Sequence, residues 1–301
     1  MRHTRILTGA SVAAAAALLL SACSSGSPSN PGGTTGSDID GVPWEVATNV
    51  ELDGSPTFDA IKDRGKVIIG VKEDQPNLGY LDVTTNERTG FDIDIARWIA
   101  ASLGYDEDDI EFKAIASANR EQALVNGDID YYVGTYSITD KRKEQIDFAG
   151  PYFVTGQGLL VRSDDDTITS EADLNADTTV CSATGSTPIQ NIRENYPEVP
   201  TEEFDLYSAC VEALINGDVD AVTTDQAILI GYAALYPDEV KVVGEPFTEE
   251  RYGVGIAKGD DVMRAHINDL FEDGGTVWEE IFERNLGDSG AKVDQPDVDR
   301  Y

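Results

Sequence analysis

One phrase occurs twice in this chain. Ala123-Leu-Val-Asn-Gly-Asp-Ile-Asp130 and Ala213-Leu-Ile-Asn-Gly-Asp-Val-Asp220 agree at six of eight positions, and the other two exchange Val for Ile. Each copy runs from a helical pattern into a strand-like one, so its Asn-Gly pair falls where a helix must stop. Gly, and secondarily Asn, tolerates the left-handed backbone that a C-terminal cap needs. One phrase at equivalent places in two halves predicts two lobes built on one plan.

The pattern around the phrases fixes the class. Lys66-Val-Ile-Ile-Gly-Val71 is a short apolar run of the kind found in strands buried on both faces. Phe91, Ile95, Trp98, Ile99 and Leu103 recur at helical spacing, with Asp92 and Asp94 in the first turn and Gly104 just past the end. Strands over 110–114 and 130–134 with a helix over 119–125 continue the alternation. The second half repeats it with strands over 179–183 and 221–224 and helices over 189–196, 208–216 and 226–235. Alternating strands and helices imply an α/β fold with mainly parallel sheets. Ligands of open α/β sheets sit beyond the carboxyl ends of the strands. The chemistry is therefore expected after each phrase, in Thr135-Tyr-Ser-Ile-Thr-Asp-Lys-Arg142 and in Thr223-Thr-Asp225-Gln.

The first 23 residues read as an export signal: Arg2 and Arg5 precede an apolar Ala/Leu run too short to span a bilayer. Leu20-Ser21-Ala22-Cys23 resembles a lipobox, which would leave Cys23 as an acylated N-terminus holding the protein on the extracytoplasmic face of the cell membrane. Ser24 to Ser37 is almost wholly Ser, Gly, Pro, Asn and Thr. Such a stretch cannot bury a core and reads as a tether, drawn here through residue 56. The formal charge of −34 becomes −36 without Arg2 and Arg5, which disfavours nucleic acid and anionic lipid surfaces as partners. With Cys23 acylated, Cys181 and Cys210 remain as an even pair in an oxidising compartment, and a disulfide is expected between them. Two buried free thiols are the alternative.

From about Phe58 to Leu286 the sequence resembles the polar-amino-acid solute-binding proteins of ABC importers (family 3), closest to the glutamate and aspartate binders. The motifs that carry this are Gly90-Phe-Asp-Ile-Asp-Ile-Ala96, the stretch from Asp130 to Pro151-Tyr152, and Asp220-Ala-Val-Thr-Thr-Asp225. The resemblance implies a periplasmic-binding-protein-like fold: two lobes, each with a mixed, mainly parallel sheet flanked by helices, joined by two crossing hinge strands near 158–161 and 243–246. The lobes would comprise 57–158 with 246–287, and 159–245, followed by an acidic tail over 288–301. It further implies a free amino acid, glutamate or aspartate, as ligand, and the ABC permease as membrane partner.

A free amino acid presents a carboxylate, an ammonium and a side chain, each of which must be paired once water is excluded. By resemblance Arg142, with Thr135 and Ser137, grips the α-carboxylate; a planar guanidinium can hold it with two parallel hydrogen bonds. Gly185-Ser186-Thr187 opens a helix and would close on the same group from the second lobe. Asp225 would accept the ammonium, although helix capping is its plain alternative. Lys72, Arg120 and the adjacent Asn119 would face the ligand side chain. Lys72 stands where relatives that take basic amino acids tend to have an acid, a reversal of polarity that favours an acidic ligand. Surface placement is the plain alternative for Arg142, Lys72 and Arg120.

The same architecture serves cyclohexadienyl dehydratases, the alternative functional class. An enzyme needs an activated acid, base or nucleophile. His3 and His266 are the only histidines, and neither lies near these motifs. No metal-ligand spacing and no cofactor motif is read.

Overall fold

The computed structural model describes residues 41–289 and 293–301. The expected signal, the acylated Cys23 and most of the tether lie outside the described residues. The remaining part of the tether does not match expectation. Trp44, Val50 and Leu52 pack against the main core, and Ala47 donates its N–H to the Ala101 carbonyl at 2.8 Å. Apolar side chains spaced through this segment therefore dock it well before residue 56.

The chain opens with α1 (Pro56–Arg64), capped by the Ser55 hydroxyl, and continues into β1 (Val67–Val71). Three short strands, β2 (Asp74–Gln75), β3 (Gly79–Asp82) and β4 (Glu87–Thr89), form a small antiparallel sheet. After them come α2 (Phe91–Ser102), β5 (Ile110–Ala114), α3 (Arg120–Asn126), β6 (Tyr131–Tyr132), α4 (Asp140–Lys143) and the long β7 (Asp147–Thr155). The second set comprises β8 (Gln157–Arg162), β9 (Val180–Ala183), α5 (Thr187–Asn195), β10 (Thr201–Phe204), α6 (Tyr207–Asn216), β11 (Ala221–Asp225), α7 (Gln226–Leu235) and β12 (Val240–Val243). The chain then returns through β13 (Glu250–Ile256), α8 (Asp261–Asp273) and α9 (Gly275–Leu286).

Two five-stranded sheets result, in the orders β5-β1-β6-β13-β7 and β10-β9-β11-β8-β12. In the first, β1 runs parallel to β5 and β6 while β13 runs antiparallel to β6 and β7. In the second, β9 runs parallel to β10 and β11 while β8 runs antiparallel to β11 and β12. The two lobes thus share one plan, and each copy of the repeated phrase leads into the middle strand of its sheet. Both helices before those strands end as expected: Asn126 and Asn216 are their last residues, and Gly127 and Gly217 follow with φ of 70° and 80°.

The lobes are joined where β7 hands over to β8 at Gly156 and where β12 returns to β13. Phe247 N donates to the Gln157 carbonyl at 2.9 Å and Gln157 N to Thr248 Oγ1 at 3.0 Å, so the two crossings lie side by side. This differs from the expected crossing at 158–161. Those residues pair on both sides with β11 and β12, inside the second sheet, so the crossing lies just before them. Cys181 on β9 and Cys210 on α6 form a disulfide with a Cα–Cα distance of 5.5 Å. Residues 293–301 of the acidic tail are packed on the first lobe: Asp299 N donates to the Gly150 carbonyl, and the Tyr301 ring lies under Lys143 and Arg264. Among the described residues no helix is long and apolar enough to cross a membrane.

Candidate functional site

The carboxyl ends of β1, β5 and β6 and the segments after them bring three cations into one buried region. Arg142 lies in α4, whose N-terminus Thr139 caps. Its guanidinium donates Nη1 to the Ser137 carbonyl (2.6 Å), Nε to Glu121 Oε1 (3.1 Å) and Nη2 to the Gly185 carbonyl of the opposite lobe (3.2 Å). Arg120, at the start of α3, donates to the Ser117 and Thr135 carbonyls. Both guanidiniums lie over the Tyr136 ring, 4.3 Å from its centre for Arg120 and 4.9 Å for Arg142. Lys72, directly after β1, donates Nζ to Ser117 Oγ at 2.7 Å. All three side chains are buried, not exposed on the surface. Burial and then the neighbouring Arg120 bring the Lys72 ammonium down to about 7, and the same two causes lower Arg142. Like charges buried beside one another favour an anion among them, and Glu121 already supplies one to Arg142.

The opposing charge comes from the second lobe. Asp225 ends β11 and precedes α7, yet its side chain makes no capping bond there. Its Oδ2 accepts from Tyr252 Oη at 2.7 Å, while Oδ1 is buried without a hydrogen-bond partner. Burial, and then the nearby Glu250 carboxylate, raise Asp225 to about 8. An unpaired buried carboxylate oxygen is costly, and a cationic hydrogen-bond donor is the group that would relieve it. Gln75 Nε2 is buried without a partner as well.

The hydroxyl residues divide. Thr135 sits at φ 47°, an unusual conformation for a β-branched residue, held by its N–H to Asp92 Oδ2 (3.0 Å) and its Oγ1 to Gln75 Oε1 (3.1 Å). Asp92 is itself fully buried, accepts a second bond from Tyr152 Oη at 2.8 Å, and is raised to about 6 by burial against the pull of those two donors. Thr187, the first residue of α5, donates to Glu250 Oε2 at 3.0 Å and lies 3.3 Å from Ser137 Oγ across the lobes. The Ser186 hydroxyl serves instead as the N-cap of α5, accepting from Ile189 N and lying 3.2 Å from Ser182 Oγ. Asn119 is exposed and makes no capping bond, so the structure does not bring its side chain into the cluster with Arg120.

Sequence reasoning passed over several members. Gln75 lies in the loop that carries Lys72, and Tyr136 lies inside the Thr135–Arg142 motif, so both were within reach as neighbours of chosen residues. Glu250 and Tyr252 were not, because they arrive on β13 after the chain has passed through the second lobe. In sequence Asp92 reads only as an acid in the first turn of α2, where the helix dipole favours it. Its burial against Thr135 shows that it fixes the backbone of the site.

The arrangement is thus a closed cleft with cations and a strained hydroxyl loop on one wall and a buried acid on the other. The family described as bacterial extracellular solute-binding proteins, family 3, matches residues 67–284. The chain is 40% identical over 255 residues to the glutamate-binding protein GluB of Corynebacterium glutamicum, a match covering 80% of this chain and 85% of that one. It is 45% identical over 205 residues to a glutamine-binding protein of Geobacillus stearothermophilus, covering 68% and 78%. Among solved structures, an ancestral arginine-binding protein bound to glutamine superposes with a TM-score of 0.68 at 34% identity, covering 74% of this chain and 99% of that one. On its sheet order, its two-lobed cleft and this family match, the chain belongs to the bacterial extracellular solute-binding proteins of family 3.

Proposed function

We propose that the protein captures an acidic amino acid, glutamate first and aspartate second, between its lobes and hands it to the permease of an ABC importer. The observation that carries this reading is the buried opposition of Lys72, Arg120 and Arg142 to the unpaired Oδ1 of Asp225. In this reading the α-carboxylate takes Arg142 Nη1 and Nη2 from the Ser137 and Gly185 carbonyls that now hold them. Thr135, Ser137 and Thr187 add hydroxyl or amide donors, and Ser186 contributes through its backbone. Asp225 accepts the ammonium, and Lys72 and Arg120 meet the distal carboxylate. The two lobes, which meet at Gly156 and again between β12 and β13, close on the ligand because it is better paired in the closed form. A lipid on Cys23 would hold the protein at the outer face of the cell membrane, beside its permease. The name of the 40% identical relative, a glutamate binder, supports the choice of ligand.

Glutamine is the second reading. A glutamine-binding relative at 45% identity favours it, and so does Lys72, which with a pKa of about 7 can face an amide without its charge. A thermal-shift panel of the twenty amino acids on residues 41–301 separates the two. The proposal expects glutamate to give the largest rise in Tm, and Arg120→Ala to abolish that rise while the unliganded Tm stays within a few degrees. A response to glutamine alone would move the assignment to the amide, and no response to any amino acid would remove it.

A further inference from the structure

A second set of contacts crosses the cleft without including any residue of the charge cluster. Helix α6 begins after Leu206, which offers no side chain to cap it. The first amides of a helix need acceptors, and its N-terminus favours negative charge. Here the acceptor comes from the other lobe: Asp74 of β2 takes the Ser208 N–H on Oδ2 at 3.1 Å. Tyr232 on α7 donates its hydroxyl to the Asp74 backbone carbonyl. Burial, and then Asp74, keep that phenol protonated, so it remains a donor. One turn position earlier, Gly231 lies against the Pro76 carbonyl so closely that a Cβ there would stand 2.5 Å from the oxygen. Gly231 is helical and shows no positive φ, so α7 itself does not require glycine at this position. The neighbouring lobe does.

We infer that Asp74, Tyr232 and Gly231 form a closure latch, which sets how far the ligand-free protein is closed and thereby sets affinity without touching the amino acid. Opening the cleft leaves α6 without its cap and the Tyr232 hydroxyl without its partner. The latch therefore adds a fixed bias toward the closed form, and a ligand's apparent affinity scales with the closed fraction it finds.

The decisive variant is Gly231→Ala. Alanine is the better helix former, so α7 should hold at least as well, while its methyl group wedges against Pro76. The expected result is an unliganded Tm equal to or above that of the wild type, a larger ligand-free radius of gyration by small-angle scattering, and glutamate affinity weaker by roughly tenfold, mostly through faster dissociation. Tyr232→Phe, which removes one hydrogen bond and no packing, should weaken affinity about threefold with the same scattering change. Asp74→Ala should act in the same direction. Unchanged affinity and unchanged ligand-free dimensions in both Gly231→Ala and Tyr232→Phe would overturn the latch. The affinity arm rests on the ligand proposed above and the scattering arm does not. Should the wild type fail to bind glutamate, that reading falls, and ligand-free scattering alone decides the latch.

Discussion

Asp225 and Lys72 face the cleft from opposite walls with protonation equilibria displaced toward neutrality, Asp225 raised to about 8 and Lys72 lowered to about 7, each chiefly by burial. An ammonium beside Asp225 favours its ionised form, so its pKa falls on binding and its proton leaves. Affinity on that account rises with pH until about 8. A carboxylate beside Lys72 favours the charged ammonium, so its pKa rises on binding. Its contribution is complete below about pH 7 and is lost as pH climbs beyond that. Together they predict a glutamate affinity that increases from pH 6 to 7, is level between 7 and 8, and falls above 8. Lys72→Met should convert this to a rise that levels near pH 8. Calorimetric titrations across pH 6–9, in two buffers of different ionisation enthalpy, report both the affinities and the protons exchanged. An affinity independent of pH over that range would show that neither group meets the ligand. Arg142 and Asp225 were legible in the sequence because each follows a recognisable phrase. Tyr252, which orients Asp225, was not, since nothing local ties a residue on β13 to one 27 positions earlier.

Among the elements, the repeated phrase proved the most informative signal, because it marks a helix end and a strand start whose backbone demands are local. α7 falls where its apolar run predicted it, and α6 and β9 within a residue of expectation. Strands β7 and β13 were hidden for an equally local reason. Pro151 interrupts β7 and Gly253 and Gly255 interrupt β13, and both residue types argue against a strand interior in isolation. Their pairing with each other overrides that preference. The disulfide shows how one lobe is stabilised apart from the other. Cys181 and Cys210, separated by 29 positions, tie β9 to α6 wholly within the second lobe. Closing a loop of that length is worth roughly 3 to 4 kcal/mol on the chain-entropy account. Cys181→Ala with Cys210→Ala should therefore lower stability in urea by about that amount. Hydrogen exchange should show the loss in α5–α7 while the first-lobe sheet keeps its protection; an equal loss of protection in both lobes would contradict this assignment.

At the scale of the whole molecule, the proposed function requires a chain with a formal charge of −34 to admit an anion. The three buried cations act at short range once the ligand is in the cleft, but at a distance the net field repels it. Raising ionic strength screens the long-range repulsion and leaves the buried pairs nearly untouched. The association rate of glutamate should consequently increase a few-fold between about 10 mM and 150 mM salt, whereas that of glutamine should hardly change. Stopped-flow mixing measures this directly, and a glutamate rate that falls with salt would mean that the local cations govern the approach. The central claim is narrower still: a guanidinium from one lobe and a carboxylate from the other converge on a single zwitterion. Isothermal titration with L-glutamate, glutarate and γ-aminobutyrate tests it most directly, because glutarate lacks the ammonium and γ-aminobutyrate lacks the α-carboxylate. The account predicts that glutamate binds and that each analogue is weaker by at least about a hundredfold, as expected when a buried charge loses its partner. Glutarate binding as tightly as glutamate would contradict it.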